Sequence, residues 1–250
     1  MIKRIFPLLV LSAFLTAGCE SDVGDSSDVP SDTLASEAQL QVPATTHPET
    51  GGPEWEPLFA EDLTNAHDSA GVWSWQDGQL TATEDEPIFT TEAYNDFILD
   101  LEVMFDPNAN SGIIVHARDR SDWIPNSLEI QIGDSFTHPD SAEATGIHDA
   151  GAMYGHVGPS EQRINEPGEW NRYTVTARGD SLWTVVNGAL VSEIDMSEYT
   201  SAETNPDGSE IPEWLSTPLA ELPTEGYIGL QGMHGESGVY FRNIRIRELN

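Results

Sequence analysis

The chain has 250 residues, 38% of them apolar, enough for one good-sized hydrophobic core and too few to argue for two. Its 43 acidic residues against 10 basic ones give a formal net charge of −33, which excludes nucleic-acid binding through a basic surface. A single cysteine, Cys19, excludes an internal disulfide framework, so packing alone must stabilise the fold.

The first element in chain order is an export signal. Lys3 and Arg4 precede an apolar run from Ile5 to Leu15, and small residues lead up to Cys19. The run is too short for a lasting membrane-spanning helix. "LTAGC", Leu15 to Cys19, resembles a bacterial lipoprotein signal, with Thr16 where an aliphatic residue is usual. That resemblance implies loss of residues 1–18 and a lipid on Cys19, hence a cell-envelope protein held on the periplasmic or outer side of a membrane. Removing residues 1–18 deletes Lys3 and Arg4, leaving 43 acids against 8 bases, a net −35 with no lysine. Self-repulsion on that scale is screened by salt, so a salt-adapted protein is expected. Residues 19–53 are rich in Ser, Asp, Pro, Thr and Glu without hydrophobic period, and are expected to form a disordered acidic tether.

Residues 54–250 carry the domain. Phe97, Leu99, Leu101, Val103 and Phe105 alternate with Ile98, Asp100, Glu102 and Met104, the clearest strand in the chain. In Asn110 to Asp134, Ile113, Val115 and Ala117, then Leu128, Ile130 and Ile132, form one apolar parity; the other presents His116 and Arg118, then Glu129 and Gln131. Further strands are expected at Tyr173–Ala177, Leu182–Val186, Tyr227–Gln231 and Val239–Ile246, with turns at Arg178–Asp180 and Asn187–Gly188. In the last strand Val239 and Phe241 share one parity and Ile244 and Ile246 the other, which requires a β-bulge near Arg242 and Asn243. No long segment has a helical stripe. Short strands at this spacing predict an all-β, antiparallel two-sheet jelly-roll sandwich.

Several pieces in order resemble one family. They are "LFAEDLTN" (58–65), "WSWQDGQL" (73–80), "NSGIIVHAR" (110–118), "LEIQIGD" (128–134), "GAMYG" (151–155), "PGEWNRYTVTARG" (167–179), "VNG" (186–188) and "GYIGLQGMHGESGVYFRNIRIREL" (226–249). Together they look like the signature of the 3-keto-disaccharide hydrolase domain. The resemblance implies a concanavalin A-like sandwich acting on glycosides oxidised at carbon 3. A ketone at C3 acidifies the C2 proton, so the C1 substituent can leave by elimination and water can add afterwards. Such chemistry needs a base near C2, donors at the enolate oxygen and help for the leaving group.

Polar residues on the groove-facing parity are the first site candidates. Arg118, a rare cation in an acidic chain, could pair with Glu129 or donate to an enolate, or it could belong to a cross-strand ion pair on a wet face. His234, flanked by Gly232 and Gly235 in "LQGMHG", is either a base or a turn histidine capping carbonyls. The catalytic set is therefore drawn from Glu129, His234 and Arg118, with the base left open between Glu129 and His234. Substrate contacts are expected from Gln131, Gln231, His116, Tyr154 and Asn171. Trp170 is expected in the core; of Trp73 and Trp75, one is expected buried and one exposed for sugar stacking.

The sequence "DPNANSG", Asp106 to Gly112, has alternate oxygen ligands but Ser111 and Ala117 where a calcium loop needs glycine and glutamate, and the histidines lack zinc-ligand spacing. No cofactor is called for, although a calcium site built from separate loops stays open. The expected partners are a glycoside substrate and, through the lipid, a membrane. Two other functions fit the same fold: a non-catalytic carbohydrate-binding module and a structural surface lipoprotein. The insertion from Tyr199 to Pro223, with Trp214, is expected to shape one groove wall.

Overall fold

A computed structural model describes residues 45–137 and 146–249. The export signal, Cys19 and tether residues up to 44 lie outside the described residues. Thirteen strands follow in order: β1 (Glu56–Pro57), β2 (Ala66–His67), β3 (Trp73–Gln76), β4 (Gln79–Ala82), β5 (Ile88–Tyr94), β6 (Phe97–Phe105), β7 (Asn110–Ala117), β8 (Leu128–Gly133), β9 (Asn171–Arg178), β10 (Ser181–Val186), β11 (Ala189–Asp195), β12 (Gly226–Leu230) and β13 (Val239–Glu248). Three single-turn 3-10 helices join some of them, and no α-helix occurs among the described residues.

All strand pairs are antiparallel. The larger, eight-stranded sheet runs β11-β10-β9-β6-β13-β4-β3, with β1 also pairing β13; the smaller, five-stranded sheet runs β2-β5-β12-β7-β8. This is the antiparallel two-sheet sandwich that the strand spacing predicts. Alternation places the apolar parity of β6 (Phe97, Leu99, Leu101, Val103 and Phe105) between the sheets, where each is fully buried. Ile113, Val115, Leu128, Ile130 and Ile132 meet them from the smaller sheet in one core cluster. Each such side chain contributes on the order of 1.5–3 kcal/mol by leaving water.

Two bulges set which side chains face where. On β13, Arg242 pairs with Glu102 and Arg245 with Asp100, so three residues span two, and Asn243 takes a φ of 53°. This is the phase slip that the apolar pattern of that strand demands. The second bulge is not visible in the pattern. Tyr227 pairs with Ala117 but Gly229 pairs with Ile114, leaving an extra residue on β7, and His116 sits at φ 54°. Gly226 permits the close crossing, since a Cβ there would stand 2.4 Å from the His116 carbonyl carbon.

That bulge corrects the expected role of His116. Its ring turns inward, 6.1 Å from the Phe97 ring, and is completely buried. Neither ring nitrogen has a well-formed hydrogen bond among the described residues, and burial lowers its pKa to about 4. His116 is a core residue. Ala117 changes places with it, joining Phe89, Ile114, Trp123 and Tyr227 on the opposite face of the sheet.

The outer face of the larger sheet also differs from expectation. The tether was expected to extend to residue 53, but His47 and Pro48 already bind the sheet: His47 Nε2 accepts from the Gly188 amide at 2.9 Å, its Nδ1 lies 2.8 Å from Thr174 Oγ1, and Arg172 donates to the Pro48 carbonyl at 2.7 Å. Beneath them Arg172 pairs with buried Asp100 at 3.0 Å. Asn171 is completely buried in this sheet, its Oδ1 accepting from the Asn165 amide and from Asn187. It stabilises the turn before β9 and the Asn187–Gly188 turn, and has no access to a substrate. Trp170 is half-buried rather than in the core, with the Arg242 guanidinium 3.8 Å above its ring. Trp73 is buried and Trp75 half-buried, their indoles donating to the carbonyls of Glu86 and Ala60; Trp75 lines a groove on this side of the molecule.

Candidate active site

The smaller sheet carries a pocket of about 170 Å³ on the face away from the core. Its floor comes from β7 and β8, where strand alternation that sends Ile130 and Ile132 inward sends Glu129 and Gln131 outward. Residues 151–154 extend the sheet past β8: Gln131 donates its amide to Ala152, and Gly151 and Tyr154 donate theirs to Gln131 and Glu129, each at 2.9 Å. Tyr154 and His156 thereby form the wall beyond β8. On the other side, the His234 amide donates to Asn110 of β7 and the Gln231 amide to Gly112, which brings both side chains to the opposite wall.

Glu129 occupies the floor in an unusual setting. Its carboxyl lies over Gly112 so closely that a Cβ there would be 2.0 Å from Oε1 and 2.6 Å from Cδ. It makes no hydrogen bond or ion pair with any described residue. Enclosure by the pocket pushes its pKa up to about 8, and the charge of nearby Asp85 adds to the rise. Water still reaches part of the side chain, which is half-buried. At neutral pH this carboxyl is therefore largely a neutral acid open to a ligand.

Around it stand amides and imidazoles. Gln131 is buried, donating to Asn110 Oδ1 at 2.6 Å, while its own Oε1 has no partner among the described residues. The Gln231 side chain is uncommitted to any described residue and lines the pocket. His234 holds Asp85 through Nδ1 at the rim, where both side chains are well exposed. His156 is buried; its Nδ1 is 3.0 Å from Asn205 Oδ1, and Tyr199 meets its ring edge-on at 5.6 Å. Burial lowers the His156 pKa, with the Asn205 hydrogen bond opposing that shift. Trp123, Ile124 and Trp214 form an apolar lip, Ile124 and Trp214 being exposed.

The pocket thus gathers Glu129, Gln131, Gln231, Tyr154 and His234, and the geometry separates three other candidates from it. Arg118 does not pair with Glu129: it points to solvent and bonds Asn126 instead, because the β7 bulge ends the strand and turns the chain away. His116 and Asn171 lie in the core and the larger sheet, as described above. Sequence reasoning missed His156, Asn205, Asn110 and Trp123. His156 directly follows the "GAMYG" stretch, but its partner lies 49 positions on in the insertion, and no local pattern links them. Trp214 of that insertion does line the groove wall. A roomier groove beside Trp75 and Arg245 holds one carboxylate, Glu61, and no imidazole. Among the described residues no three His, Cys, Asp or Glu side chains converge as a metal site requires.

The model of one protein family, the 3-keto-alpha-glucoside-1,2-lyase-like domain, matches residues 54–247. The chain belongs to this family. A crystal structure from Parabacteroides distasonis, described as a proposed glycosyl hydrolase, is 47% identical, with 78% of this chain covering 99% of that one at a TM-score of 0.73. Two further proteins of the same organism and description share the fold at 22% and 24% identity, with TM-scores of 0.63 and 0.57. They are covered over 94% and 84% of their lengths by 78% and 79% of this chain. No curated protein matches. The domain is a glycosyl hydrolase-like, carbohydrate-active member of its family.

Proposed function

We propose that the pocket cleaves 3-keto-glycosides by abstraction of the C2 proton, elimination at C1 and subsequent hydration, in an exported protein lipid-anchored through Cys19 in the cell envelope. The observation that carries this reading is the Glu129 carboxyl, set over Gly112 with no partner among the described residues and a pKa of about 8. A carboxyl kept protonated at neutral pH can donate to a leaving oxygen. Elimination from a ketone needs only one such acid, one neutral base and donors for the enolate oxygen. The Gln231 amide supplies a donor beside Glu129, whereas Gln131, its Nε2 held by Asn110 and the Ile132 carbonyl, presents only the acceptor Oε1; the His156 and His234 imidazoles open on the walls. An ordinary glycosidase needs two carboxyls flanking the bond, and among the described residues Glu129 is the only carboxylate of the pocket lining.

The aromatic lip of Trp123 and Trp214 also suits a binding module, which would hold a sugar without changing it. The test separates the two. Purified protein is incubated with a 3-keto-α-glucoside and with the parent glucoside. Release of the aglycone from the keto form alone, with solvent deuterium at C2 of the product under conditions where free 3-keto sugar does not exchange, is the expected result. In the Glu129→Gln variant turnover should fall about 100-fold or more. Saturable binding of both sugars without release would establish a module instead.

A further inference from the structure

We propose that His156, anchored through Nδ1 on Asn205, is the base that takes the C2 proton, with Asn205 as its positioning residue. This rests on the reading of the pocket as a 3-keto-glycoside site. The orientation of the Asn205 amide is determined by its surroundings. Its Nδ2 donates to the Gly155 carbonyl at 3.1 Å and to Ser209 Oγ at 3.0 Å. The carbonyl can only accept, and the Ser209 hydroxyl already spends its proton on Asp207 at 2.6 Å. Oδ1 is therefore the atom that faces His156, so Nδ1 carries the proton and donates it. Nε2 is left with its lone pair, makes no hydrogen bond with a described residue, and belongs to a ring that lines the pocket.

Three features suit this imidazole better than His234. It is buried, at 6% exposure, whereas the His234 side chain is 58% exposed at the rim. Tyr199 and Asn205 hold its ring from two sides, so the lone pair is aimed before substrate arrives. The enclosure that raises the Glu129 pKa lowers that of His156, which leaves an acid holding its proton and a base without one in the same pocket at neutral pH.

The proton balance closes. The C2–H bond breaks, its proton goes to His156 Nε2 and its electron pair forms the enolate, whose oxygen the uncommitted Gln231 amide can bond. Collapse of the enolate re-forms the ketone and a C1=C2 double bond while the C1–O bond breaks, and the leaving oxygen takes the Glu129 proton. In hydration, water adds its oxygen to C1, returns a proton to the Glu129 carboxylate, and C2 receives the proton held by His156. Both groups end as they began. Because the imidazolium proton exchanges with solvent, deuterium enters at C2.

The test uses a 3-keto-α-glucoside with a chromogenic aryl leaving group in D₂O, following aryl release and C2 deuterium. His156→Gln, which conserves size, and His156→Ala should lower kcat by about 10²- to 10⁴-fold and abolish C2 exchange, with added imidazole restoring part of the alanine variant's rate. Asn205→Asp, which places a carboxylate on Nδ1, should move the acid limb of the kcat/KM profile to higher pH with KM changed only a few-fold. A purely structural Asn205 would leave that limb in place, and this readout decides the matter even if the His156 variants do not fold. Wild-type kcat in folded His156 variants, with Glu129→Gln impaired, would overturn the assignment and leave the functional reading intact. A wild-type protein that neither releases the aryl group nor exchanges C2 overturns both.

Discussion

Replacing Gly112 with alanine should disable the pocket without harming the fold. The residue is in mid-strand with no positive φ, so alanine is conformationally allowed, and the entropy change favours alanine by roughly 0.5–1 kcal/mol. The added Cβ would sit 2.0 Å from Glu129 Oε1 and 2.6 Å from both Cδ and Cγ. Comfortable carbon contacts begin at about 3.5 Å, so the Glu129 side chain must move by an ångström or more. It can do so cheaply, because no hydrogen bond to a described residue holds it. Misplacement by about 1 Å can cost 10²-fold, or roughly 2.7 kcal/mol of transition-state stabilisation. Steady-state kinetics on a 3-keto-glycoside, with a melting curve on the same sample, should show kcat/KM down about 100-fold and Tm unchanged or higher. The alkaline limb of the rate profile should also fall, as the carboxyl moves towards water and an ordinary pKa. A Gly112→Ala variant with wild-type kcat/KM would refute the reasoning, since the carboxyl cannot stay where it is.

Other expectations follow from charge. Glu129 titrates near 8 folded and near 4.5 unfolded, so between those values the folded state binds more protons and stability falls as pH rises through that window. Glu129→Gln should therefore raise Tm relative to wild type at pH 8–9 and change it little at pH 4–5; equal differences at both ends would count against a neutral Glu129. His47 titrates near 4 folded, chiefly through burial and then the charge of Arg172, so its stabilising contacts are present above about 6.5 and are lost as pH falls towards 4. The His47→Ala variant should accordingly show a shallower loss of Tm across that interval. With 33 excess formal negative charges, Tm should climb from millimolar to molar KCl, where the screening length shrinks to about 3 Å; a flat series would remove repulsion as a factor. Cys19→Ser should shift the protein from the membrane fraction to the soluble fraction of its host, and unlipidated wild-type protein recovered in solution would sink the anchoring proposal.

Alternation and turn chemistry are local, and the sequence by itself determined whatever depends on them. The five-fold repeat of β6, the Asn187–Gly188 hairpin and the parity break that requires the β13 bulge all follow from residues within a few positions of one another. The same local logic placed Glu129 and Gln131 outward from β8, which is why part of the floor was legible. The β7 bulge was not, because apolar Ile113, Val115 and Ala117 read as one unbroken parity and only the crossing by Gly226 of a distant strand decides that His116 turns in and Arg118 turns away. The partners of the acid and the imidazole also belong to tertiary structure. Glu129 has its raised pKa because walls from residues 154–156, 214–215 and 231–234 close around it, and burial is a property of the assembled surface. The tautomer of His156 depends on Asn205, 49 residues away, and on the Gly155 and Ser209 groups that orient that amide. Sequence spacing carries no trace of such contacts, since their energy depends on distances that only the packed chain creates.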